Sequence, residues 1–81
     1  MDVRTEVKEQ LAKLLNLKIE DISDLSGIAN LKGWDSINHF RIIVALESHF
    51  KVTFTNYELV YLDTVQKITA LISARIIREP N

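Results

Sequence analysis

Two glycines and one proline punctuate 81 residues, and there is no cysteine. A chain so poor in turn formers cannot make the many tight reversals of a small all-β domain. Without cysteine it has no disulfide framework and no thiolate metal site. Its stability must come from packed helices that bury apolar side chains. The apolar share of 47% and the charged share of 26% are those of a globular chain. The length suits one domain, residues 1–81, because a second core would not fit. Ten basic against eleven acidic residues leave a net charge of -1. That balance excludes nucleic-acid binding by bulk positive charge, and it excludes an acidic disordered tail. No apolar run approaches the ~20 residues of a membrane span, so no membrane insertion is expected. The mixed-charge start Met1-Asp2-Val3-Arg4-Thr5-Glu6 lacks the apolar core of a signal peptide. A cytoplasmic location and a monomer are expected.

Periodicity locates the helices. Val3, Val7, Leu11, Leu14 and Leu15 recur at helical steps, which predicts an amphipathic helix from about Asp2 to Leu17. Glu9 and Lys13 stand at i,i+4 within it, in the favoured order. From Lys18 to Asp35, Ile19, Ile22, Leu25, Ile28 and Leu31 recur every third residue, but Ser23, Ser26, Gly27 and Gly33 interrupt them. This reads as a long structured loop with a helical turn, pinned to the core by its apolar residues. Loops of that length in small domains are often functional. Asp35 or Ser36 caps a second helix, about Ser36 to Phe50, with Ile37, Phe40, Ile43, Val44, Leu46 and Phe50 as its inward face. Val52-Thr53 begins a short extended stretch. Asn56 caps a short third helix, about Asn56 to Leu62. Asp63 or Thr64 caps the last, about Thr64 to Ile77, with Val65, Ile68, Leu71, Ile72 and Ile76 inward. Arg75 and Arg78 suit the dipole at its end, and Pro80 closes it. The fold class expected is all-α: a four-helix bundle of three main helices and one short one, with a long loop between helices one and two.

The informative stretch is Gly33-Trp34-Asp35-Ser36-Ile37, where the long loop meets the second helix. It offers a hydroxyl at a helix N-terminus, among free amides and the positive end of the dipole. Such a place tolerates a phosphate ester. Gly33 lets the loop bend and keeps side chains clear. Asp35 sets a carboxylate beside the hydroxyl.

Here the sequence resembles the acyl carrier protein family, whose motif is Gly-x-Asp-Ser-Leu/Ile. Val44-Ala45-Leu46-Glu47, Phe50 and Thr64-Val65-Gln66 extend the likeness downstream, and the helix order and long first loop match the family's four-helix bundle. The resemblance implies that a phosphopantetheinyl transferase modifies Ser36, with coenzyme A as donor of 4'-phosphopantetheine and Mg2+ in the transferase. The arm's thiol would carry acyl groups as thioesters between acyl-activating or acyl-transferring enzymes of fatty acid, polyketide or related biosynthesis. The protein would then be a non-catalytic carrier with no metal site of its own. Zero cysteine leaves that thiol as the only one. The family's interior shelters acyl chains, and here Ile43, Leu46, Leu59, Leu62 and Ile68 would line it.

Simpler readings stand beside these. Ser36 can serve as a plain N-cap. Trp34 can anchor the loop by packing, with a smaller share in framing the arm. Asp35, Ser36 and His39 contain the residue types of a hydrolase triad, but an oriented base, an oxyanion hole and a pocket would all be needed. His39 is expected on the surface beside the arm, and His49 in solvent. In many family members the second helix is acidic and docks on basic patches. Here its formal charges are Arg41 and Glu47, which cancel. Tyr57, Val60 and Tyr61 make the short third helix apolar. His39, Arg41, Glu47, Tyr57, Val60 and Tyr61 are therefore the expected partner surface of a specialised carrier. The alternatives are an aminoacyl or peptidyl carrier, and a helical interaction module without a prosthetic group.

Overall fold

A computed structural model describes residues 2–76. Helix α1 is Val3–Leu15, α2 is Ser36–Phe50, α3 is Asn56–Tyr61 and α4 is Val65–Ile76. A 3-10 turn, Ile19–Asp21, lies between α1 and α2. The expected all-α four-helix architecture is the one observed. The described residues contain no strand, only an isolated antiparallel bridge between Gly27 and Thr64. No described helix is long and apolar enough to cross a membrane. Ile77, Arg78 and Pro80, expected at the end of the last helix, lie outside the described residues.

The helix ends follow local chemistry. Asn16 closes α1 in the left-handed region at φ 57°, a conformation Asn tolerates well. Lys51 closes α2 the same way at φ 58°. Thr55, not Asn56, caps α3. Its Oγ1 accepts from the Glu58 amide at 3.1 Å, and Glu58 Oε1 accepts from the Thr55 amide at 3.0 Å. That reciprocal box makes Asn56 the first helical residue instead of the cap. Thr64 caps α4, accepting from the Lys67 amide at 3.2 Å, while Asp63 pairs with Lys67 at 3.0 Å. The one expected pair on α1, Glu9–Lys13, does not form an ion pair; the ties of this helix to the loop are Arg4 and Lys8, at 3.0 Å and 3.5 Å from Asp24.

The core joins Val7 and Leu11 of α1, Ile42, Ile43 and Leu46 of α2, Leu62, and Val65, Ile68 and Ile72 of α4. Ile22, Trp34 and Phe54 complete it from the loops. Helix α1 packs against both α2 and α4. Burying each such aliphatic side chain is worth about 1.5–3 kcal/mol. Helix α2 corrects the expected inward face. Ile37, Phe40 and Val44 point outward, at 74%, 60% and 46% exposure. The buried stripe is His39, Ile42, Ile43 and Leu46, spaced i, i+3, i+4, i+7.

The long loop also departs from expectation. Leu25 is well exposed, and Ile19 and Ile28 stay outside the core at 37% and 36% exposure; only Ile22 and Leu31 of that series pack into it. Polar backbone contacts hold the loop. The first amides of α4 lack intrahelical acceptors. The Val65 amide donates to the Ser26 carbonyl and the Gln66 amide to the Asp24 carbonyl, both at 2.9 Å. In return the Ile28 amide donates to the Asp63 carbonyl at 3.1 Å. Gly27 permits this approach, since a Cβ there would stand 2.2 Å from the Asp63 oxygen.

Candidate functional site

The loop reaches α2 through Gly33, whose φ of +88° favours glycine. Asp35, not Ser36, caps the helix: its Oδ1 accepts from the Asn38 amide at 2.9 Å. Asn38 Nδ2 reaches back to the Gly33 carbonyl at 2.7 Å and closes the turn. The first intrahelical bond runs from the His39 amide to the Asp35 carbonyl at 2.7 Å. Because Asp35 takes the capping role, Ser36 becomes the first helical residue. Its side chain is exposed, and none of the hydrogen bonds among the described residues uses its hydroxyl. The Ser36 and Ile37 amides likewise have no acceptor among the described residues. A free hydroxyl beside two free amides at a helix N-terminus suits a phosphate ester, electrically and sterically. Ile37 is exposed beside it.

Beneath this turn lies a cluster that spacing did not reveal. Trp34 is 2% exposed, so packing is its main role, as expected. Its indole Nε1 donates to His39 Nδ1 at 2.9 Å, with the ring planes 22° apart and 6.0 Å between centroids. His39 Nε2 meets the Leu59 carbonyl at 2.7 Å. His39 is 9% exposed, which corrects its expected place on the surface. Its neighbours Ile42, Ile43 and Leu46 carried the available signal, because His39 falls on their helical stripe. Both ring nitrogens are engaged, and no hydrogen bond joins the ring to Ser36. The Ser–His pair of a hydrolase is therefore not assembled.

The other expected partner residues divide. Arg41 is exposed and lines a groove of about 300 Å³ with Leu14, Phe40, Val44 and Ala45. Tyr57, Val60 and Tyr61 are exposed on α3. Glu47 is half-buried and accepts from the Phe54 amide at 2.8 Å, so it anchors the α2–α3 connection instead of standing free. His49 is exposed, as expected, but bonds Glu6 at 2.8 Å and so ties α2 to α1. Arg75 reaches the Thr53 carbonyl at 2.7 Å and pairs with Glu58. That guanidinium holds the Glu58 carboxyl below the usual carboxylate range, with help from the Thr55 amide. No His, Asp or Glu cluster among the described residues could hold a metal ion.

Comparison with known proteins gives this arrangement its context. The family described as "Phosphopantetheine attachment site" matches residues 5–72. The chain belongs to the acyl carrier protein family. It is similar to an acyl carrier protein of Buchnera aphidicola subsp. Schizaphis graminum (strain Sg), at 29% identity over 66 residues, covering 82% of this chain and 84% of that one. The cofactor of this carrier is a covalently attached 4'-phosphopantetheine. Proteins of the family are carriers that work with a phosphopantetheinyl transferase and with biosynthetic enzymes. The exposed hydroxyl and free amides at the head of α2 fit such a group.

Proposed function

We propose that Ser36 is the attachment point, and that this carrier presents acyl thioesters of fatty acid, polyketide or related biosynthesis to a few dedicated enzymes in the cytoplasm. The observation that carries the assignment is the division of labour at the head of α2. Asp35 satisfies the Asn38 amide, which leaves the Ser36 hydroxyl exposed and unbonded. On loading, Ser36 Oγ loses its proton and forms a bond to phosphorus, while the nucleotide part of coenzyme A leaves. The free Ser36 and Ile37 amides would then face the phosphodiester. Gly33 and Trp34 shape the approach: one supplies the turn, the other fixes it to the core.

The partner surface combines Ile37, Phe40, Arg41 and Val44 of α2 with Tyr57, Val60 and Tyr61 of α3. Its single formal charge is the Arg41 guanidinium. A matching enzyme would offer an apolar face with a carboxylate opposite Arg41. The test of the attachment is direct. The protein is incubated with coenzyme A, Mg2+ and a broad-range phosphopantetheinyl transferase, then weighed intact. A gain of one phosphopantetheine, lost in Ser36→Ala, is expected. No gain on the folded wild-type chain would favour an interaction module without a prosthetic group.

A further inference from the structure

We propose that His39 is a positioning residue for loading. As the neutral Nε2–H tautomer it bridges the attachment turn to α3, so that Ser36 and the outer face of α3 meet the transferase as one unit. The proposal rests on Ser36 as the attachment point.

The tautomer follows from hydrogen-bond chemistry. An indole N–H can only donate. His39 Nδ1, 2.9 Å from Trp34 Nε1, must therefore accept and carry no proton. The ring proton then sits on Nε2, which donates to the Leu59 carbonyl at 2.7 Å. That carbonyl has no other partner among the described residues. The Leu62 amide goes to the Glu58 carbonyl and the Asp63 amide to the Tyr61 carbonyl, both at 2.9 Å. Leu59 is thus left with one of the orphan acceptors of a helix C-terminus, and the imidazole of α2 satisfies it.

The bridge matters because of what it joins. Helix α3 has six residues, too few to hold its shape alone. Leu62 sits in the core, and Glu58 is tied to Arg75 of α4; His39 supplies the hydrogen bond from α3 to α2. At its other end Trp34 directly precedes the capping Asp35 and stands two residues from Ser36. One buried ring therefore spans from the turn that presents the hydroxyl to the helix that carries Tyr57, Val60 and Tyr61.

The test uses the full chain, coenzyme A and a broad-range transferase, with the carrier as varied substrate. His39→Leu removes both bonds at similar bulk. His39→Gln offers a carboxamide acceptor and donor about as far apart as the ring nitrogens. Trp34→Phe keeps a ring and deletes only the N–H. The leucine variant should raise the carrier's KM about 3- to 10-fold, the worth of one or two such bonds, with kcat unchanged. The glutamine variant should recover most of that loss. Trp34→Phe should raise KM likewise, and adding it to His39→Leu should cost little more. Nitrogen-15 NMR of the wild type should show His39 protonated at Nε2 and bare at Nδ1. A proton on Nδ1 would overturn the proposal, whether or not any variant folds. A folded leucine variant with wild-type KM would do so as well. A wild-type chain that takes no arm at all would instead sink the Ser36 assignment.

Discussion

At Gly33 the backbone stands at φ +88°, yet a Cβ there would meet nothing closer than Leu15 Cδ2 at 3.7 Å. The constraint is conformational, so Gly33→Ala should cost about 1 kcal/mol. Gly27 is the opposite case. An added Cβ would overlap the Asp63 carbonyl and press on Thr64, parting the loop from α4. Gly27→Ala should therefore destabilise clearly more than Gly33→Ala in urea unfolding, and equal losses would refute the steric account. The glycine of the motif was legible in the sequence as a bend. The closeness of Gly27 to Asp63 was not, because the two are brought together only by folding. The same holds for His39. Its residue type and position suggested a surface side chain, and its two bonding partners come from the loop and from α3.

Among the elements, α3 is the shortest and depends most on its ends. Thr55→Ala opens the capping box and should cost about 1 kcal/mol, read as a lower thermal midpoint. Glu58 adds a pH dependence. Its folded carboxyl is held down by the Arg75 pair, so the stability it gives is present above the ordinary carboxylate range and is lost as pH falls through the lowered folded value. Glu58→Gln should flatten the acid limb of the stability curve; an unchanged limb would refute that. Lys51 holds a left-handed C-cap without glycine's freedom, so Lys51→Gly should stabilise by a few tenths of a kcal/mol up to about 1 kcal/mol. Helix spans were readable within one or two residues, because caps and periodicity are local. The inward face of α2 was not. That helix carries two apolar stripes: Ile37, Phe40 and Val44, and Ile42, Ile43 and Leu46 with His39. Hydrophobicity alone cannot choose between them.

For the whole molecule, the stripe left outside is the consequence of the one taken inside. Leu46→Ala, at a fully buried position among α1, α2 and α4, should cost about 2–5 kcal/mol, a large part of a small domain's total stability. Arg41→Glu, on the exposed face, should leave unfolding unchanged and weaken transfer to the carrier's own partner enzyme, since it sets like charges together. What the sequence determined by itself is what local chemistry dictates. Few turn formers and helical periodicity require a helical bundle. The Gly33 to Ile37 stretch places a serine at a helix head, and Arg41 and Glu47 leave the second helix without net formal charge. Tertiary structure decided the rest: which side of α2 enters the core, how loop carbonyls join Ile22, Leu31 and Trp34 in fastening the long connection, and that a histidine and a tryptophan meet beneath the serine. Those outcomes depend on contacts between distant segments, and no period or spacing along one segment encodes the neighbour that folding brings against it.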